Sequence, residues 1–302
     1  MPKTLLSDRQ RHSHVVREIA TSAQHLPKEF VHLHRAEAVL VTSWSTLGSG
    51  RYAVSAHWPR GGIFGDSVQL LLAQTIRQSC LLVGHAELSV PLSHQTLMEW
   101  MDFSVSSDFY DPKNKPDNLF ILLTFRRNNP RSLRVELSIL SEGCLVAESL
   151  LDFSWIAPGA YRRLRGAHAE IPWGEAVVPS PVPAHTVGRA HDHEVLLAST
   201  GLVNRWELRM DVSNPALYDH RVDHVPGLVL IEAAYQAAHA VAGPGHGPVR
   251  VMSTFDSYVE FDAPCLIDAA LVPATDADTV RIEVTGVQNG ERTFSATMDC
   301  PQ

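Results

Sequence analysis

The run Asp219-His220-Arg221-Val222-Asp223-His224-Val225-Pro226-Gly227 sets two imidazoles, each preceded by a carboxylate, directly before an apolar segment, Leu228 to Val241, that carries one acidic residue, Glu232. These are the parts of a small acid/base site. Histidine changes charge near neutral pH, an adjacent aspartate can orient its ring, and a Pro-Gly turn opens a helix whose first N–H groups have no intrahelical partner. His220 is the candidate base, with Asp219 or Asp223 as its orienting group. Glu232 on its apolar helix is a second acid/base candidate, since desolvation suits a carboxyl to that work. The plainer reading is that Glu232 hydrogen-bonds the neighbouring loop, and that His224 is a structural hydrogen-bonder beside Pro226-Gly227. No metal is implied, because His220 and His224 lie in a turn and no third ligand has a defined spacing.

A paler version of this arrangement stands upstream. Trp58-Pro59-Arg60-Gly61-Gly62 leads into Leu70-Leu71-Leu72-Ala73-Gln74-Thr75-Ile76-Arg77-Gln78, in which Gln74 falls opposite Glu232 and Arg77 opposite Tyr235. A glutamine at that place can donate an amide hydrogen bond but cannot accept a proton. The chain thus reads as two related halves, of which the second kept its acid/base groups.

The elements that must position these residues repeat in the same order. Val39 to Ser43 matches Val195 to Ser199, and each is followed by an aromatic alternating run, Arg51 to Val54 and Arg205 to Leu208. The helices Leu70 to Val83 and Leu228 to Val241 come next. After them come Met101 to Val105 and Val259 to Asp262, then Arg134 to Ser138 and Arg281 to Thr285, alternating as half-buried strands do. Glu142-Gly143 and Asn289-Gly290 sit before Leu145 to Phe153 and Thr293 to Cys300, so the last two strands of each half read as a hairpin. Short strands around one buried apolar helix describe an α+β unit in which an antiparallel sheet wraps a central helix. The expected organisation is an N-terminal extension (1–30), a first domain (31–165), a proline-rich linker (166–185) and a second domain (186–302).

Composition narrows the partners. With 302 residues, 45% hydrophobic and 19% charged, the chain is globular and core-forming. Its formal charge of -8 and the lack of any long basic run make nucleic acid an unfavourable partner. Cys80, Cys144, Cys265 and Cys300 are scattered without CxxC spacing, and the start has no apolar signal core, which fits a reducing cytoplasm. Nothing approaches the roughly 20 apolar residues of a membrane span. His85, His94, Cys80 and Cys265 read as packing residues. Two local basic clusters, Tyr161-Arg162-Arg163-Leu164-Arg165 and Arg126-Arg127 through Arg131, stand out on an acidic chain.

The segment from Asn214-Pro215 through Asp219-His220, Pro226-Gly227 and Glu232-Ala233-Ala234-Tyr235-Gln236 resembles the active-site segment of the hotdog-fold 3-hydroxyacyl carrier-protein dehydratases. A closer resemblance covers roughly residues 31 to 300. Val31-His32-Leu33-His34-Arg35, Trp58-Pro59-Arg60, Thr75-Ile76-Arg77-Gln78, His85-Ala86-Glu87, Val90-Pro91-Leu92-Ser93-His94-Gln95 and Asp223-His224-Val225-Pro226-Gly227 together look like the A-factor biosynthesis (AfsA-type) family of double-hotdog proteins. That resemblance implies a tandem double hotdog. It also implies transfer of a β-ketoacyl group from acyl carrier protein, or coenzyme A, to the hydroxyl of dihydroxyacetone phosphate, followed by closure to a phosphorylated butenolide, a precursor of γ-butyrolactone-type signals. No cofactor and no metal are implied. The family's helices commonly read Glu-Thr-x-Arg-Gln and Glu-Ala-x-Arg-Gln, and this chain departs from them at Gln74 and Tyr235.

On that reading the catalytic set is His220, Glu232, Asp219 and Gln74, and the substrate-binding set is Arg77, Arg60, Tyr235, His224 and Gly227. In hotdog pairs the loop of one unit faces the helix of the other, so one expected site joins the Asp219 to His224 loop to Gln74 and Arg77, and the other joins the Arg60-Gly61-Gly62 turn to Glu232. Arg77 and Arg60, with Arg35 behind them, are the cations expected for the acceptor's phosphate, and the basic clusters are candidates for docking an acidic carrier protein. Two other functions remain open: a dehydratase or thioesterase on acyl thioesters, and a catalytically degenerate acyl-binding protein. Either a monomer or a homodimer is compatible with a double hotdog.

Overall fold

The computed structural model describes residues 26–302 apart from 66, 171, 172, 175, 176, 244–246, 275 and 276. Most of the expected N-terminal extension, and residues 171, 172, 175 and 176 of the expected linker, lie outside the described residues. The chain divides into two compact units, one of residues 1–94 and 105–150 and one of residues 95–104 and 151–302.

In the first unit the strands β1 (Val41–Gly48), β2 (Arg51–His57), β4 (Asn118–Asn129), β5 (Ser132–Ser141) and the start of β6 (Cys144–Ile156) stand in the order β1-β2-β4-β5-β6. The pairings β1–β2, β2–β4 and β4–β5 are antiparallel. The helix α1 (Val68–Ala86) packs against β1 and β2, with Leu71, Leu72, Ile76 and Leu82 fully buried. Gln74, Thr75, Gln78 and Ser79 are buried in it beside these apolar residues. Ser67 caps it, its Oγ accepting from the Leu70 N–H at 3.4 Å.

In the second unit β3 (Gln95–Val105), β9 (Arg250–Phe255), β12 (Glu291–Pro301), β11 (Thr279–Gln288), β10 (Cys265–Val272), β8 (Arg205–Leu208) and β7 (Leu197–Ser199) follow one another in that order. Its pairings β3–β9, β9–β12, β12–β11, β11–β10, β10–β8 and β8–β7 are antiparallel. The helix α3 (Gly227–Ala242) packs on β7, β10, β11 and β12 and buries Leu228 to Ala238. A short helix, α2 (Pro158–Arg165), precedes the crossing into the second half. Each unit therefore has an antiparallel sheet around a central helix, the hotdog arrangement that the sequence pattern describes.

The hairpin turns are where expected. Glu142 and Gly143 have φ of 50° and 81°, Asn289 and Gly290 54° and 81°, and Gln288 pairs with Glu291 across the second turn. Two consecutive positive φ values match the twist of the flanking strands, and Gly and Asn reach them at low cost. One expected strand is absent. Val259 and Glu260 are irregular and Phe261-Asp262 lie in a turn, and the strands in that region are β9 and β10. The cause is local: the Gln288 side chain accepts from the Glu260 N–H at 2.8 Å and donates to the Glu260 and Ala263 carbonyls at 2.9 and 2.7 Å. Those backbone groups have no need of a ladder, and Pro264 has no N–H to offer one.

Both units carry the same pin between helix and strand. Gln78 of α1 accepts from the Leu40 N–H and donates to the Ala38 carbonyl, each at 2.8 Å, and Gln236 of α3 does the same with Leu196 N–H and the Glu194 carbonyl, each at 2.8 Å. Both glutamines are fully buried, so each fixes the strand start against the helix through groups that cannot turn to water.

Candidate active site

The approach to α3 is built from local turns. The Asn214 carbonyl accepts from the Leu217 and Tyr218 N–H groups, and its side chain accepts from the Ala216 N–H at 3.0 Å. Tyr218 is buried with its ring edge-on to Trp173 at 5.8 Å and near Phe261 at 6.2 Å. That anchor presents the next two residues, Asp219 and His220. Nδ1 of His220 lies 2.9 Å from Oδ2 of Asp219, and the side chains are 28% and 9% exposed. A covered carboxylate holding a partly open imidazole fixes the ring's orientation.

Four residues later the pairing recurs, inside a far denser network. Nδ1 of His224 lies 2.8 Å from Oδ1 of Asp223. The Tyr161 hydroxyl of α2 donates to the Asp223 carboxylate, 2.8 Å from both oxygens, and Arg165 donates from Nε to Oδ2 at 3.0 Å. Arg165 also binds the Asp223 carbonyl at 2.8 Å and both Glu260 oxygens at 2.6 Å, and its guanidinium lies 4.2 Å from the Tyr258 ring centre. Burial would push the Asp223 carboxyl up, but His224, Tyr161 and Arg165 outweigh it and hold the group well below the ordinary aspartate range. Burial, then the hydrogen bond to Asp223, pushes the Tyr161 phenol well up, keeping it a donor. The His224 ring is packed edge-on to Tyr258 at 4.6 Å.

Pro226 precedes α3, and Val225 is tied by its N–H to the Val259 carbonyl at 2.9 Å. A Cβ at Gly227 would sit 2.9 Å from Phe255 Cε1, so this glycine lets the helix start lie against β9. Further along α3, Glu232 is 5% exposed. Its Oε1 accepts from Arg189 through Nε at 2.8 Å and through a short contact from a terminal nitrogen, and from Gln236 at 2.8 Å. Its Oε2 is buried with no hydrogen-bond partner among the described residues. Tyr235 is buried on the same helix.

In the first unit Gln74 is buried and its Oε1 faces the Gln78 amide at 3.5 Å. Arg77 reaches the Val31 carbonyl at 3.3 Å. Arg60 is largely exposed and makes a two-pronged pair with Asp117 at 3.1 and 2.9 Å. Gly61 and Gly62 both have φ of 77°. His85, expected as a packing residue, is buried between the Val90 carbonyl and His32 at 2.8 Å each, and burial lowers it despite the bond to Val90. Cys80 and Cys265 are buried; desolvation pushes Cys80 far up and Cys265 up to about 11, so neither is a thiolate.

The structure therefore brings Asp219 to His220 and Asp223 to His224. The basic cluster at 161–165 splits: Arg165 and Tyr161 turn inward to the Asp223 network, and only Arg162, Arg163 and Leu164 remain exposed. Sequence reading missed Arg189, Tyr161, Arg165 and Glu260 as partners of the candidate site residues. Their bonds span 43, 62, 58 and 95 residues, separations that no periodic pattern encodes. The described residues contain no group of three or more His, Cys, Asp or Glu placed to hold a metal ion, and no described helix is long and apolar enough to cross a membrane.

Comparison with known proteins gives a consistent picture. The family model for the A-factor biosynthesis hotdog domain matches residues 15–156 and again 174–302. The chain is 36% identical over 288 residues to a 2-oxo-3-(phosphooxy)propyl 3-oxoalkanoate synthase of Streptomyces griseus, covering 91% of this chain and 95% of that protein. A protein of the same name from Streptomyces coelicolor is 34% identical over 295 residues, covering 94% of each. Among solved structures, a 12:0-ACP thioesterase from Umbellularia californica superposes with a TM-score of 0.50 at 10% identity, over 85% of this chain and 100% of that one, which is a likeness of fold.

Proposed function

The chain belongs to the A-factor biosynthesis hotdog family, and from that premise we propose that it is an acyltransferase joining a β-ketoacyl thioester to a hydroxyl of dihydroxyacetone phosphate. The product named for its relatives, a 2-oxo-3-(phosphooxy)propyl 3-oxoalkanoate, is the ester of those two parts. Closure of that ester by intramolecular condensation would give the phosphorylated butenolide.

The observation that carries the chemistry is the Asp219–His220 pair at the approach to α3. His220 removes the proton of the attacking hydroxyl while its oxygen bonds to the thioester carbonyl carbon. The tetrahedral intermediate then collapses with loss of the C–S bond, and the imidazolium returns the proton to the departing thiolate. Asp219 keeps the ring aligned through both transfers and balances its charge. The start of α3 has no side-chain cap and Val229 N–H returns to the Pro226 carbonyl, which leaves the Gly227 and Leu228 N–H groups as the donors proposed for the carbonyl oxygen as it becomes negative. His224 is a positioning residue in this scheme, because its Nδ1 is held by Asp223 within the Tyr161 and Arg165 network.

The donor's carrier is acyl carrier protein or coenzyme A. Arg162 and Arg163 support the carrier protein: they are exposed on α2 of an acidic chain. Unpaired thiols fit a reducing cytoplasm.

Mass spectrometry of products from a β-ketoacyl thioester, with and without dihydroxyacetone phosphate, tests this reading. The phosphorylated ester or butenolide should appear only when both are present. Free acid alone would mark a thioesterase, and no turnover with a retained acyl ligand would mark a binding protein.

A further inference from the structure

Only two residues of α2 are buried, Tyr161 and Arg165, one helical turn apart on the same side. Both end on Asp223. The Tyr161 hydroxyl donates to the Asp223 carboxylate at 2.8 Å, and Arg165 donates to the same carboxylate at 3.0 Å and to the Asp223 carbonyl at 2.8 Å. Arg165 also grips Glu260 through two bonds of 2.6 Å, and the Val225 N–H returns to the Val259 carbonyl at 2.9 Å. The two chain segments that α2 holds are thus tied to each other, and one of them runs through Pro226 into the Gly227 and Leu228 N–H groups that open α3.

An eight-residue helix is too short to persist alone in water, so its place on the unit is set by these bonds. They are directional as well as strong. A guanidinium forked onto a carboxylate sets angle and distance, whereas an apolar contact of similar size lets a helix slide and often serves stability as well or better. With the Arg165 side chain 3% exposed and its carboxylate partners 20% and 13%, the network keeps that geometry largely out of reach of water. The outward side of the same helix is opposite in character. Arg162 and Arg163 are exposed, and Leu164 beside them is a large apolar residue 60% exposed. Two cations around an apolar side chain, on a chain of formal charge -8, fit an acidic partner that also offers an apolar contact.

We propose that α2 is a coupling helix: its outer residues Arg162, Arg163 and Leu164 dock an acidic acyl carrier protein, and its inner residues Tyr161 and Arg165 hold the docked carrier in register with the segment 223–228 that opens α3. This rests on the acyl-transfer reading for the carrier, and it goes beyond that reading by making Tyr161 and Arg165 positioning residues for the donor's thioester. Docking that restrains α2 restrains the segment 223–228 as well, because opening either one breaks the same bonds.

The test uses the full chain as wild type, Arg162→Glu/Arg163→Glu, Tyr161→Phe and Glu260→Gln, the last loosening the other anchor of Arg165 should Tyr161→Phe fold poorly. The probe is a β-ketoacyl acyl carrier protein without dihydroxyacetone phosphate, so that no acyl group is transferred, and the readouts are its Kd and the hydrogen exchange of amides in 223–228. In the wild type the carrier should slow that exchange by at least about threefold. Arg162→Glu/Arg163→Glu should weaken binding by about tenfold. Tyr161→Phe and Glu260→Gln should bind the carrier within about twofold of wild type and lose the slowing. With acceptor present, they should lower kcat for the carrier donor about fivefold more than for a small thioester, with KM for the carrier little changed. No slowing in the wild type, the same slowing in Tyr161→Phe and Glu260→Gln, equal falls in kcat for the two donors, or binding indifferent to Arg162→Glu/Arg163→Glu would each overturn the proposal. A wild type that binds the carrier through α2 and slows exchange at 223–228 but forms no ester overturns the acyl-transfer reading and leaves the α2 assignment standing.

Discussion

Nδ1 of His220 lies 2.9 Å from Oδ2 of Asp219, pairing a nearly covered carboxylate with a partly open ring. The pair is local in sequence, yet it is held in place by Tyr218, whose ring is wedged near Trp173 and Phe261. Tyr218→Ala should therefore misplace the dyad as well as open a cavity. A loss of about 3–5 kcal/mol is expected for removing a buried aromatic ring, read from urea denaturation, with a fall in kcat/KM larger than Asp219→Asn alone produces.

The Asp223 network should make stability depend on acid. Its folded-state carboxyl is depressed relative to the unfolded chain, so its contribution is fully present above the unfolded value of roughly 3.9 and is lost as pH falls toward the folded one. Asp223→Asn should flatten the acid limb of a plot of unfolding free energy against pH below about pH 4. An unchanged acid limb would show that the network does not bind protons differently on folding. Tyr161→Phe, which removes one donor to the charged oxygens, should cost about 1.5–3 kcal/mol at neutral pH.

Gly227 was expected to touch substrate, and its surroundings give it a packing role. Gly227→Ala forces Phe255 or the start of α3 to move, and overpacking of this kind costs about 1–3 kcal/mol. Thermal unfolding measures it. A stability loss with kcat/KM preserved means that Phe255 gives way, and a parallel fall in kcat/KM means that the start of α3 has moved.

Carrier docking makes a charge prediction. Arg162→Glu/Arg163→Glu should raise KM for a β-ketoacyl carrier-protein donor by about tenfold and leave KM for a small thioester unchanged, since rim charges act on association. Equal effects on both donors would remove α2 from the docking surface.

Much of the fold could be read from the chain because its signals are local. Alternating runs gave most strands, the Glu142-Gly143 and Asn289-Gly290 turns gave the hairpins, and the Leu228 to Val241 run, apolar nearly all round, gave the buried centre of the second half. The turn at 259–262 could not be read this way, because its backbone is satisfied by a side chain nearly a full hairpin away, Gln288. At the candidate site, Asp219, His220, Asp223, His224 and Glu232 were visible as residue types beside a Pro-Gly helix start. Their partners were not. Arg165 looked like one more exposed arginine in a basic cluster until folding turned it onto Asp223 and Glu260, and Arg189 stands just after a 3-10 turn with no repeating pattern to mark it.

The central claim is that His220, aligned by Asp219, is the base of the acyl transfer. Single-turnover formation of the phosphorylated ester should be compared for wild type, His220→Gln and His224→Gln with one β-ketoacyl thioester and saturating dihydroxyacetone phosphate. The account predicts that His220→Gln slows the step by about 10²–10⁴-fold, the range for a lost general base, while His224→Gln slows it less. Ester formed by His220→Gln at the wild-type rate, or abolished only in His224→Gln, would contradict it.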